Sequence, residues 1–146
     1  MQAMIDPMKI AEHWNPYSES IDGRRLLPSK WGCVVTQEDV RAALLEGRLR
    51  SGPIDIDSSG DAHAERVAWL VIHEATDPIE IDVGIPSIGY MPPEMVPDGN
   101  HRLAAAIYAG RPIAVEITGD VNFATEIFGV MCEMDLDDEP ADRQTP

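Results

Sequence analysis

The residues best suited to chemistry in this chain sit together at positions 98 to 102, "DGNHR". Asp98 can cap a helix, accept a proton or hold a cation, and Gly99 lets the backbone come close to a ligand. Asn100 can donate or accept, His101 can donate or exchange a proton near neutral pH, and Arg102 offers a planar fork that matches phosphate oxygens. The stretch runs straight into "LAAAIYAG", where Leu103, Ala106, Ile107 and Gly110 fall along one side of a helix and Gly110 supplies a left-handed stop. A helix N-terminus gathers unpaired N–H donors and about half a positive charge, so the natural ligand of such a turn is an anion, and phosphate above all. The plainer alternative is a tight turn at Asp98 and Gly99, with Asp98 as helix cap and His101 and Arg102 solvated or paired to nearby carboxylates.

Several elements must hold that turn in place. "DPIEIDVG" alternates cleanly, Ile79, Ile81 and Val83 to one side and Glu80 and Asp82 to the other, which predicts a strand. "IPSIGYMPPEMVP" is too rich in proline for regular structure and reads as an ordered loop into the turn. "RPIAVEITG" predicts a second strand on Ile113, Val115 and Ile117. Upstream, "AHAERVAWLVIHEA" carries Ala64, Val67, Val71 and Ala75 at helical spacing. Asp6 and Pro7 predict a short helix through Trp14; Thr36 with Asp39 resembles a capping box for a helix that Gly47 closes; "GCVVT" and "GPIDID" read as short strands. Asp120 predicts the cap of a last helix that packs Phe123 and Phe128. The expected fold class is α+β: a mixed sheet with packed helices in one domain over residues 1–132, followed by an acidic disordered tail at 133–146.

The order of strand, loop, glycine turn, helix and strand, with "DGNHRLAAAIYAG" at its centre, resembles the signature segment of the ParB/sulfiredoxin superfamily over residues 61–118. The resemblance implies a nucleotide-phosphate cradle in which Gly99, Asn100, His101 and Arg102 occupy the phosphate-binding positions, with Asp98 and His101 as candidate catalytic groups and Mg²⁺ with ATP or another nucleotide as the implied cofactor. The departures are specific. Asn100 stands where sulfiredoxins carry their reactive cysteine, which argues against sulfinic acid reduction. Neither a helix-turn-helix domain nor a second arginine motif after the signature helix is evident, which argues against centromere binding.

Composition narrows the functions further. A net charge of −15 opposes coating of nucleic acid, since non-specific affinity comes from basic side chains displacing phosphate counterions. The charge is uneven: Arg24, Arg25, Lys30, Arg41, Arg48 and Arg50 face only Glu38, Asp39 and Glu46 between residues 24 and 50, a balance of +3 that leaves −18 for the rest. Cys33 and Cys132 fit no metal or redox spacing and are expected as free thiols. His13, His63 and His73 have no ligand spacing, and Trp14, Trp31 and Trp69 read as core or rim residues. Asp55 with Asp57 and Glu80 with Asp82 share strand faces and could hold Mg²⁺, although solvated faces explain them as well. With neither a secretory signal nor a long apolar run, the expected location is cytoplasmic, off the membrane. Two functions stand at this level: a nucleotide- or phosphate-binding protein, extending to a phosphotransferase or hydrolase, and a non-catalytic accessory or inhibitor protein of a plasmid- or phage-type element that engages a basic partner. The sequence does not choose the ligand, the presence of turnover, the role of the N-terminal third or the oligomeric state.

Overall fold

The computed structural model describes residues 1–18, 31–55, 59–129 and 132–134. The alternating segment forms strand β2, Ile79–Asp82, with Ile79 and Ile81 buried and Glu80 exposed. Strand β3, Ile113–Thr118, runs parallel to it, with Ile79 opposite Val115 and Ile81 opposite Ile117. Parallel neighbours need a crossover, and helix α4, Asn100–Ala109, provides it.

Two further strands have no clear sequence signal. Strand β1, Gln2–Ile5, lies antiparallel to β3, Ala3 opposite Val115 and Ile5 opposite Ile113, and strand β4, Cys132–Met134, pairs with the other edge of β1. The sheet order is β2-β3-β1-β4. Four and three residues are too few for alternation to stand out, so tertiary pairing makes these strands. Glu133 and Met134 consequently belong to the sheet, past the expected domain end at residue 132, while residues 135–146 of the expected tail lie outside the described residues.

The helices follow their caps. Helix α1, Pro7–Ala11, opens on Asp6, whose carboxylate accepts from the Met8 amide. It stops short of Trp14, because the Ile10 carbonyl takes both the His13 and Trp14 amides in a tight turn. Helix α2, Gln37–Glu46, has the full Thr36–Asp39 capping box and ends at Gly47. Helix α3, Gly60–Ile72, is capped by Ser59, and helix α5, Val121–Phe128, by Asp120. Helix α3 packs between α2 and α4, and Val67, Leu103, Ile79, Ile81, Val115 and Ile117 join one core that makes the α+β fold.

One expected strand is absent, and the described part of another forms none. "GCVVT" stays irregular because Val35 is satisfied by a single residue: its carbonyl accepts from the Ser18 amide and its amide donates to Ser18 Oγ, both at 2.8 Å, and no ladder continues from there. Residues 52–55 of "GPIDID" form no strand; Ile56 and Asp57 lie outside the described residues.

Candidate anion site at the head of helix α4

Gly99 makes the turn into α4 with φ +101°, a left-handed conformation that side chains resist. Space adds a second demand, since a Cβ on Gly99 would collide with the side chain of Ile79. The turn is thereby pressed against β2, and an isolated bridge between Glu80 and Asp98 fixes it there.

Gly99, and not Asp98, is the N-cap residue. No side-chain cap hydrogen bond is present, and the first intrahelical bond runs from the Leu103 amide to the Gly99 carbonyl. Asp98 misses the capping position by one residue: its side chain is 75% exposed and reaches only to 3.9 Å from Arg102 Nη2. The other well-marked helices are closed by a side chain at this point, as Thr36, Ser59 and Asp120 show. The uncapped head of α4 instead lines a cleft of about 220 Å³ whose walls include Asp98, Gly99, Asn100, His101, Arg102 and Arg66.

Two guanidiniums face this cleft. Arg102 is anchored by an Nη1 hydrogen bond of 2.8 Å to the Asp77 carbonyl. Arg66 comes from α3, is held by the Ser51 carbonyl at 2.6 Å and lies over the Trp69 ring at 5.2 Å. Among the described residues Arg66 has no carboxylate partner. Burial first, and then the positive charge of Arg102, pushes its guanidinium below the ordinary arginine range. Two like charges that repel each other, each held by backbone carbonyls, are unfavourable on their own, and an anion bound to both relieves the repulsion.

His101 brings a second unexpected group with it. Its Nε2 lies 2.9 Å from His63 Nδ1, and the two rings are within 9° of coplanar with centroids 5.1 Å apart, so they meet edge to edge. Trp31 covers both, with its ring 4.7 Å from His63 and 4.6 Å from His101 at shallow angles. His63 is 1% exposed, and its Nε2 has no hydrogen-bond partner among the described residues. Burial lowers its affinity for a proton. The facing nitrogens share one hydrogen, so a proton gained or lost by His101 at the cleft must pass through its Nδ1 or rearrange the pair.

Asn100 does not extend a side chain to the cleft. It is buried, accepting from Trp14 Nε1 at 2.8 Å and donating to the Val96 carbonyl at 2.8 Å, so it ties α1 and the preceding loop to the head of α4. Of the expected site residues, Gly99, His101, Arg102 and Asp98 come together at the cleft, while Asn100 contributes backbone alone.

Candidates elsewhere have structural employment. Asp82 accepts from the Gly84 amide at 2.9 Å. The described part of the basic segment is spent on ion pairs, Arg41 with Glu38, Arg48 with Glu46 and Glu65, and Arg50 with Glu65; Arg24, Arg25 and Lys30 lie outside the described residues. His73 stacks on Trp69, and His13 meets the edge of Phe128. Cys33 forms no disulfide among the described residues, and the side chain of Cys132 lies outside the described residues. No described group of three or more His, Cys, Asp or Glu side chains is arranged to hold a metal ion, and no described helix is long and apolar enough to cross a membrane.

The signal for His63 and Arg66 was in the sequence, because residues three apart on a helix share a face, and α3 was expected as a helix. Nothing in the sequence told which face would meet the head of α4, and Trp31, in a segment without regular structure, gave no signal beyond its size. No family model, curated protein or solved structure matches this chain.

Proposed function

We propose that this protein binds a phosphate-bearing ligand, of the nucleotide class, at the head of α4. The observation that carries this reading is a helix N-terminus with no side-chain cap, beside a cleft lined by Arg66 and Arg102, where the carboxylate among the described lining residues, Asp98, is 75% exposed and no closer to Arg102 than 3.9 Å. Phosphate fits on three counts: the helix dipole and first-turn amides favour an anion, a tetrahedral oxyanion accepts from several donors at once, and guanidinium forks match its oxygens. The kinship with the ParB/sulfiredoxin superfamily belongs to this proposal, and Arg66 then supplies from the preceding helix the second arginine that is missing after the signature helix.

Turnover adds requirements beyond binding. Phosphoryl transfer depends on positioning and charge neutralisation, which the two arginines serve, and on a group that manages the proton of the attacking oxygen. His101 is the candidate, with His63 orienting its ring through the Nδ1–Nε2 bond and Trp31 fixing the plane of both. Among the cleft residues Asp98 is the carboxylate that could reach a Mg²⁺ held on phosphate oxygens. A thermal-shift series with pyrophosphate, ATP, CTP and GTP, each with and without Mg²⁺, tests the binding. A ligand at one hundred times its Kd is expected to stabilise the fold by about 2.7 kcal/mol. Absence of any shift with all four, at millimolar concentration and low salt, would remove the reading.

A further inference from the structure

A second cavity lies on the other side of Arg102, between the C-terminal end of α3, the start of β3 and the flank of α4, and its volume is about 230 Å³. Its floor is aliphatic: Leu70, Ile79, Ala105, Ala106 and Ile113. Ala105 and Ala106, 1% and 3% exposed, close this floor, and the half-buried Ile113 and Ala114 present apolar surface at its wall. Two arginines stand at it, and both are immobilised by backbone. Arg111 gives its two terminal nitrogens to the Leu70 and Val71 carbonyls at 2.8 and 3.0 Å, and Arg102 gives Nη1 to the Asp77 carbonyl.

The charge partners of these arginines are loose by comparison. Arg111 Nε lies 3.7 Å from Glu74 Oε2, beyond hydrogen-bond distance, and the Glu74 side chain is 57% exposed. Arg102 Nη2 lies 3.9 Å from the still more exposed Asp98. The charged lining of the cavity is thus Arg102 and Arg111, each fixed by backbone carbonyls, with Glu74 and Asp77 exposed at its rim. Glu74 stands in, imperfectly, for a carboxylate that could sit closer to Arg111.

We infer that this cavity is a binding site for a small monocarboxylate with an aliphatic or aromatic body, its apolar part on the Ala105–Ala106 floor and its carboxylate displacing Glu74 from Arg111. An aliphatic lining rewards each buried methylene, and a guanidinium whose terminal nitrogens are already held by carbonyls keeps its Nε–H for a single planar anion. The two cavities share Arg102 and Leu70, but the carboxylate is assigned to Arg111, which takes no part in the cleft at the head of α4, so the two readings can fail separately.

Isothermal titration of the full chain with acetate, butanoate, hexanoate and benzoate tests it, alongside methyl NMR of Ala105, Ala106 and Ile113. Affinity is expected to rise about fourfold per added methylene up to hexanoate, with the shifts centred on those three methyl-bearing residues. Glu74→Gln should tighten hexanoate binding severalfold by removing the internal competitor, whereas Arg111→Gln should abolish it while leaving pyrophosphate binding intact. Equal affinity for acetate and hexanoate, shifts centred elsewhere, or a Glu74→Gln variant that binds no better would each overturn the proposal. Should Arg111→Gln fail to fold, the Glu74→Gln titration and the shift map decide alone. Loss of pyrophosphate binding in the native protein would speak against the phosphate site and leave this one standing.

Discussion

The two ends of α4 each carry one left-handed glycine and one arginine, and they are built to different purposes. At the C-terminal end Gly110 has open space around the position a Cβ would take, and Arg111 is spent on the last carbonyls of α3. That is what folding asks of a helix end: a left-handed stop and a cation near exposed carbonyls. At the N-terminal end Gly99 is wedged against Ile79, the capping position holds no side chain, and Arg102 faces Arg66. A serine, threonine or aspartate cap contributes roughly 1 kcal/mol, and like charges brought together cost something further. The N-terminal end forgoes that stability, so the difference between the two ends is what singles it out as a place for phosphate.

Exchanging the two glycines for alanine widens the contrast most. Left-handed backbone costs a side chain about 1–2 kcal/mol, and Gly110→Ala should lose about that much. Gly99→Ala adds the collision with Ile79, and overpacking of this kind costs a further 1–3 kcal/mol, for a total of about 2–5 kcal/mol. Urea denaturation of both variants measures the gap. Equal losses would mean that β2 yields easily and that the turn is not pressed against it.

The arginines separate next, along two different axes. A hydrogen bond to a charged group is worth about 1.5–3 kcal/mol, so Arg102→Ala and Arg66→Ala should each weaken pyrophosphate or nucleotide binding about 10- to 150-fold, as titration calorimetry would show. Arg102→Ala should cost little stability, since it gives up one bond to the Asp77 carbonyl but relieves the repulsion on Arg66. Arg111→Ala should behave in the opposite way, leaving anion affinity at the head of α4 within about threefold while lowering stability by about 1–2 kcal/mol through the freed carbonyls of Leu70 and Val71. If all three variants lose affinity alike, the two ends of the helix do not differ in function.

Much of this contrast is legible from residue order. The β2 alternation, the run from Gly99 to Gly110, the Thr36–Asp39 capping box and the Asp120 cap all declare themselves locally, because each depends on neighbours within a few positions. What is not legible depends on partners far along the chain. Strand β1 exists because Gln2–Ile5 meets residues 113–116, and Asn100 turns inward because Trp14 is there to bond it. Arg111, adjacent to Gly110 in sequence, serves the end of another helix. The His63–His101 pair joins residues 38 positions apart, and periodicity alone cannot say that two faces will meet.

That pair supplies the smallest and most specific difference between the ends, because only the N-terminal one contains a buried titratable ring. Burial holds the His63 proton affinity below the ordinary value of 6.5, so the unfolded chain takes up a proton at this position before the folded chain does. Where the unfolded state binds more protons, stability rises with pH. The His63 contribution is thus fully present above about pH 6.5 and is lost as pH falls through the lower folded-state value, a window on the acid side of neutrality. At pH 8 both states are neutral at this residue, and the effect vanishes. His63→Gln keeps a donor and an acceptor toward His101 Nε2 but cannot titrate. Its melting temperature should therefore fall less steeply than that of the native protein between pH 7 and pH 5, with the two curves running parallel from pH 7 to pH 8. Melts in matched ionic strength across that range distinguish this from a general acid effect of the carboxylates, which both proteins share. If the slopes coincide, His63 is protonated as readily in the fold as outside it, and the His101 pairing is looser than its 2.9 Å contact implies.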